Sequence, residues 1–146
     1  MNLDIINSMK ITSSKFVSSV KVAYITEDDD EYKKLSKFFK MHGYAFLTNS
    51  IIFIDETSLR KDNFFKKNYL LFIESHEIAH MSLDHKSLKR DKIQEAEADY
   101  VGILLCEDKN MNAAANVGKK YFSARNGISF SKYHEKYGES VRSQLV

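Results

Sequence analysis

The stretch FIESHEIAHMSLDHK, residues 72–86, sets His76 and His80 four positions apart, with Glu77 directly after the first. On an α-helix, side chains at i and i+4 project from one face. Two imidazoles so placed can share one zinc ion at about 2.0–2.1 Å. Glu77 is turned about 100° from His76, too far to complete the same coordination easily. It can instead hold a water beside the ion, because zinc makes that water more acidic and a neighbouring carboxylate can take its proton as attack begins. With 5 His and 10 Glu in 146 residues, chance alone gives about 0.01 such matches per chain of this composition. The plain alternative is an exposed polar helix face. It fits poorly, because LLFI precedes the motif and IAHMSL runs through it, and burying two histidines and a glutamate without partners is costly.

A catalytic zinc needs a third protein ligand and an open position. After a charged break at 86–91 the chain reads EAEAD at 95–99. Glu95 and Asp99 share a helix face, and Gly102 continues the stripe, letting this helix approach the first one closely. Glu95 can then bind zinc, while Asp99 orients a ligating imidazole through its other ring N–H. Glu97 lies about 160° around the helix from Glu95 and is the weaker alternative ligand. His85 would lie about 140° from His80 on a continuous helix, and would reach the ion only if the helix broke at Asp84. A supporting or capping role suits it better.

Around this pair of helices the pattern predicts an α+β domain with a small, mostly antiparallel sheet. Residues 3–9 form a short helix in this reading. Val20, Val22 and Tyr24 alternate with Lys21 and Ala23, as in a strand with one buried face. Glu27 to Asp30 open a helix carrying Tyr32, Leu35, Phe38 and Phe39, which Gly43 terminates. The runs 44–48 and 51–55 flank Asn49-Ser50 as a hairpin. Asp62 caps a helix from about 63 to 84 whose core face carries Phe65, Tyr69, Phe72 and Ala79. Helices at about 91–106, 110–122 and 130–145 follow, the last two separated by a turn at Arg125-Asn-Gly127. The 51–55 strand reads either as a sheet edge that pairs with an extended peptide or as an inner core strand.

The 146 residues suit a single domain spanning 1–146, and 43% hydrophobic content is that of a folded protein. A net charge of +2 argues against a dedicated nucleic-acid binder. Cys106 is the only cysteine and reads as a small buried hydrophobe; without a possible intramolecular disulfide, a cytoplasmic setting fits. The first residues carry neither a basic region nor a continuous apolar run, and no membrane span is expected. An oxyanion-stabilising donor belongs near the zinc, and Tyr121, Tyr133, His134 and Tyr137 are its candidates.

HEIAH followed by EAEAD resembles the gluzincin type of zinc metallopeptidase. More narrowly, residues 50–106 are similar to the ImmA/IrrE family, in which a strand and polar loop precede the HExxH helix and an E-x-E-A-(N/D) helix follows. His80-x-x-x-x-His85 also has counterparts there. The resemblance implies a zincin-like core with His76, His80 and Glu95 as Zn2+ ligands, Glu77 as general base and Asp99 as the supporting acid. It also implies an intracellular protein or peptide substrate, such as a repressor or regulator, and frequent carriage on phages or mobile elements. A metal-containing binding module, antirepressor-like and without peptidase activity, is the alternative. The 14 residues between His80 and Glu95 are enough for a tight turn between the helices.

Overall fold

The computed structural model describes residues 11–30, 32–36, 43–46, 50–61, 67–85 and 91–145. Their order is β1 (Thr12–Ser13), β2 (Lys21–Ile25), α1 (Tyr32–Ser36), β3 (Gly43–Phe46), β4 (Ile51–Asp55), α2 (Glu56–Arg60), α3 (Lys67–Ser82), α4 (Lys92–Asp108), α5 (Asn112–Asn126) and α6 (Phe130–Arg142). This is an α+β arrangement, and it is mostly helical. The expected helix at 3–9, and residues Phe38, Phe39, Asn49, Asp62 and Phe65, lie outside the described residues.

The sheet runs β1-β2-β4-β3, with the two-residue β1 as a short extension of three longer strands. Its outer pairings, β1 with β2 and β3 with β4, are antiparallel. The central pairing of β2 with β4 is parallel, from Lys21 opposite Ile51 to Ile25 opposite Asp55. The sheet is therefore mixed: two of its three pairings are antiparallel, as expected, and the central one is not. The physical reason lies in β2, which is buried on both faces: Val22 packs with the helices, while Ala23 and Ile25 pack with Ile51 and Phe53 on the far side. Doubly covered strands of this kind favour parallel neighbours. The one-buried-face reading of Val20 to Tyr24 missed the role of Ala23 as core.

β4 is buried along its whole length and paired on both sides, so it is the inner strand of the two alternatives. Gly43 opens β3, opposite Ile54, and the residues just before it, 37–42, lie outside the described residues. Asp55 closes β4 and caps α2, accepting from Ser58 N at 3.1 Å, while the Tyr32 hydroxyl donates to its carboxylate at 3.1 Å.

α3 lies between the sheet and the remaining helices, and every residue from Leu71 to His80 is buried. Tyr69, Phe72 and Ala79 face the core as expected. On the sheet side, buried Glu74 ties the helix to the first strands, accepting from Ser14 Oγ at 3.0 Å, Lys15 N at 2.9 Å and Tyr24 OH at 2.9 Å. Two residues later the helix has turned about 200°, so His76 faces the other way, toward α4. α3 ends in a tight reversal: His85 N donates to His80 O at 2.9 Å, and Asp84 N to Met81 O at 3.1 Å. Asp84 takes the left-handed conformation, φ 54°, that such a helix stop requires.

α4 begins at Asp91, whose side chain accepts from Gln94 N at 2.9 Å. Cys106, on its last turn, is buried, and its thiol donates to Ser75 Oγ at 3.4 Å. α5 runs one turn further than expected. It ends at Asn126, with Gly127 at φ 67° as the stop, so Arg125 and Asn126 belong to the helix rather than to a turn. Among the described residues, no helix is long and apolar enough to cross a membrane.

The closest approach of α3 and α4 falls at Gly102. A β-carbon there would lie 3.0 Å from His76 N, 3.1 Å from His76 Cα and 3.1 Å from Ser75 Oγ. Replacing a helical glycine by alanine gains about 1 kcal/mol of helix propensity, while overpacking against backbone costs about 1–3 kcal/mol. Gly102→Ala is therefore expected to lower stability in urea unfolding; an increase would show that the helices have room to spare.

Candidate metal centre

The approach of α4 to α3 brings three donor atoms together. His76 Nε2 lies 3.1 Å from His80 Nε2 and 3.0 Å from Glu95 Oε2, and His80 Nε2 lies 3.3 Å from the same carboxylate oxygen. The i, i+4 spacing sets the two rings edge to face, with centroids 4.6 Å apart and planes at 89°. His76 and His80 are buried, and Glu95 is nearly so. Ligands held tetrahedrally at 2.0–2.1 Å from an ion stand about 3.3–3.4 Å apart. The triangle is thus close to the size that a small divalent cation requires, and these three residues can bind one.

The outer nitrogens of the two rings are also engaged. His76 Nδ1 sits 2.7 Å from Asp99 Oδ1, a close contact with the carboxylate. Asp99 is fully buried, and its Oδ2 accepts from Asn126 Nδ2 at 3.4 Å. His80 Nδ1 lies 3.0 Å from His85 Nδ1, and His85 Nε2 lies 3.1 Å from Glu97 Oε1. The helix does break at Asp84, but the break carries His85 to the outer side of His80 and not to the triangle. Glu97 points away from the triangle, as its position on the helix requires, and meets His85.

Charge is strongly unbalanced here. Glu77, Glu95, Asp99 and Glu97 surround the imidazoles, and among the described residues Arg125 is the one cation placed against them: Nη2 donates to Glu95 Oε2 at 3.2 Å, and Nη1 is 3.9 Å from Asp99 Oδ1. Burial works against a charge on His76, but the contacts with Asp99 and Glu95 outweigh it and raise its pKa to about 10. Burial would raise the Glu95 carboxyl, yet the facing imidazoles hold it far below the ordinary carboxylate range. Both shifts have one cause: the cluster draws positive charge into the space between the three donors.

Glu77, 2% exposed, places Oε2 3.8 Å from His76 Nε2, beside the triangle and outside it. Of the expected oxyanion donors, Tyr121 is linked to the centre through Arg125, its hydroxyl accepting from Arg125 Nη1 at 3.3 Å. His134 is elsewhere, with Nδ1 2.6 Å from the Tyr100 hydroxyl. Tyr133 and Tyr137 line a groove of about 410 Å³ between α4 and α6, together with Ile93, Ala96 and Ile128. Burial, ahead of the nearby Glu97 carboxylate, pushes the Tyr133 phenol up to about 12. Arg125 and Asn126 were not singled out by sequence. The signal was available in the i, i+4 pairs Tyr121–Arg125 and Phe122–Asn126, which extend α5 to the glycine stop.

Comparison of the chain with models of protein families, with curated proteins and with solved structures finds no match.

A proton on His76 Nε2 has to leave before that atom can act as a ligand. Since its pKa stands near 10 without an ion, zinc binding at pH 7 is expected to release about one proton per site, and affinity should rise with pH up to that value. Titration calorimetry in buffers of different ionisation enthalpy checks this; a buffer-independent heat contradicts it.

Proposed function

We propose that the protein is a zinc-dependent endopeptidase of the HExxH type, with a zincin-like core related in design to the gluzincins, that cleaves an intracellular protein or peptide. The observation that carries this reading is the triangle of His76 Nε2, His80 Nε2 and Glu95 Oε2 with the Glu77 carboxylate beside it. A structural site would need four protein ligands, whereas three described residues converge here, which suits a centre with an open position. A bound divalent ion supplies Lewis acidity that polarises a carbonyl and makes water more acidic.

The chain's own residues divide the remaining work. His76, His80 and Glu95 hold the ion. Asp99 steadies the His76 ring from its outer side. Glu77 accepts a proton at Oε2 from the attacking water and returns it to the amine as the peptide bond breaks. Arg125, which meets Glu95, and the Tyr121 hydroxyl bonded to it are the α5 groups that we assign to the oxygen that becomes negative in the tetrahedral state. β3 is an edge strand among the described residues and lies against α3. An extended substrate segment would add to the sheet there rather than along the inner strand β4. A repressor or other regulator is the kind of substrate that the family resemblance suggests.

Glu77→Gln keeps the shape of the side chain and removes the base. Cleavage of a fluorogenic peptide library should fall by about 10²–10⁴-fold, with zinc content and thermal stability unchanged. If the variant cleaves as fast as the parent, Glu77 is not the base. If neither protein cleaves while both bind a regulator equally, the chain is a metal-containing binding module.

A further inference from the structure

His85 is the buried histidine that the proposed reaction leaves unused. It is 4% exposed and meets His80 on one side and Glu97 on the other. With both imidazoles neutral, its surroundings leave one self-consistent arrangement of the ring protons between Glu97 and His80. A carboxylate can only accept, so His85 Nε2, 3.1 Å from Glu97 Oε1, carries a hydrogen and donates it. In a neutral imidazole the other nitrogen is then an acceptor. His80 Nδ1, 3.0 Å from His85 Nδ1, must therefore be the donor of that pair. Neutral His80 is left with its lone pair on Nε2, the atom that faces His76 and Glu95.

From this geometry we propose that His85, braced by Glu97, is the positioning residue that locks His80 in its metal-binding tautomer. The inference rests on the metal-centre reading, and His85 acts through His80 without touching the ion. A histidine ligand ordinarily donates its outer N–H to a carboxylate, a backbone carbonyl or water. For His76 that group is Asp99. For His80 an imidazole is interposed, because Glu97 stands on the wrong face of α4 to reach His80 directly. The reversal at Asp84 makes this possible. It ends α3 one turn after His80 and swings His85 back against it, with the backbone bond from His85 N to His80 O at 2.9 Å setting the ring spacing. Glu97 is held from its other oxygen by Gln144 Nε2 at 3.1 Å, so the turn after α6 steadies the relay.

The test uses the full chain, first metal-free and then with zinc. Long-range proton–nitrogen NMR of the metal-free parent should show the His80 proton on Nδ1. His85→Gln should preserve that state, since its amide oxygen can accept from His80 while its NH2 donates to Glu97. His85→Phe fills the volume with neither function. It should mix the His80 tautomers and weaken zinc binding by roughly 10–100-fold in competition with a chromophoric chelator, with His85→Gln recovering most of the loss. A His85→Phe protein that melts like the parent, keeps the His80 proton on Nδ1 and binds zinc as tightly overturns the proposal. So does a metal-free parent with the His80 proton on Nε2, and that observation needs no variant to fold. Failure of the parent to bind zinc would strike the metal-centre reading instead, leaving the tautomer result to stand by itself.

Discussion

Two helices can hold one small cation between them only if their backbones come closer than ordinary side chains permit, and at Gly102 they do. The space that a β-carbon would need is occupied by His76 N and Cα. This contact fixes the register of α4 along α3. With the register set, Glu95 and Asp99, seven and three residues before Gly102, fall opposite His76 and His80. A shift of one residue along α4 would turn its acidic stripe by about 100° and leave the imidazoles facing Ala96 and Tyr100, or Gln94 and Ala98. The metal-binding geometry is therefore a consequence of helix packing as much as of the residues in the motif.

The same packing creates a cost that the polar residues must offset. α3 is buried from Leu71 to His80, yet it carries Glu74, Ser75, His76, Glu77 and His80. A buried polar group without a partner costs several kcal/mol, on the order of a domain's whole stability when repeated. Glu74 answers on the sheet side with three donors, two of them from the segment around β1. On the other side the outer ring nitrogens meet Asp99 and His85, and those in turn meet Asn126 and Glu97. What stays unbalanced is the inner triangle, where two imidazoles and a carboxylate oxygen converge with a single proton or Arg125 to neutralise them. The three converging donors could hold a metal ion there.

Sequence made much of this readable, for physical reasons that differ by residue. His76, His80, Glu95 and Asp99 sit on helices whose period is rigid, so spacing alone placed each pair on one face, and the structure brings the two faces together. The setting of His85 could not be read so simply. Its position depends on a left-handed residue at Asp84, which sequence signals poorly because glycine is the usual occupant. Arg125 and Asn126 were misplaced by one helical turn, since Arg-Asn-Gly reads as a turn until the i, i+4 partners Tyr121 and Phe122 are noticed. The mixed sheet was missed because parallel pairing of β2 with β4 is a long-range choice, and a short alternating strand looks the same whether one face or both are covered. The longer helices and strands and the β3–β4 hairpin were legible; the short elements β1 and α2 and the parallel pairing of β2 with β4 were not.

The central claim is that one divalent ion sits between α3 and α4, held by two imidazoles and one carboxylate. X-ray absorption spectroscopy on the zinc-loaded protein addresses it directly. One zinc per chain is expected, with a first shell of nitrogen and oxygen at about 2.0–2.1 Å, multiple scattering from two imidazoles, and loss of one imidazole in His80→Ala. A sulfur shell from Cys106, four imidazoles shared between chains, or a spectrum unchanged in His80→Ala would contradict it.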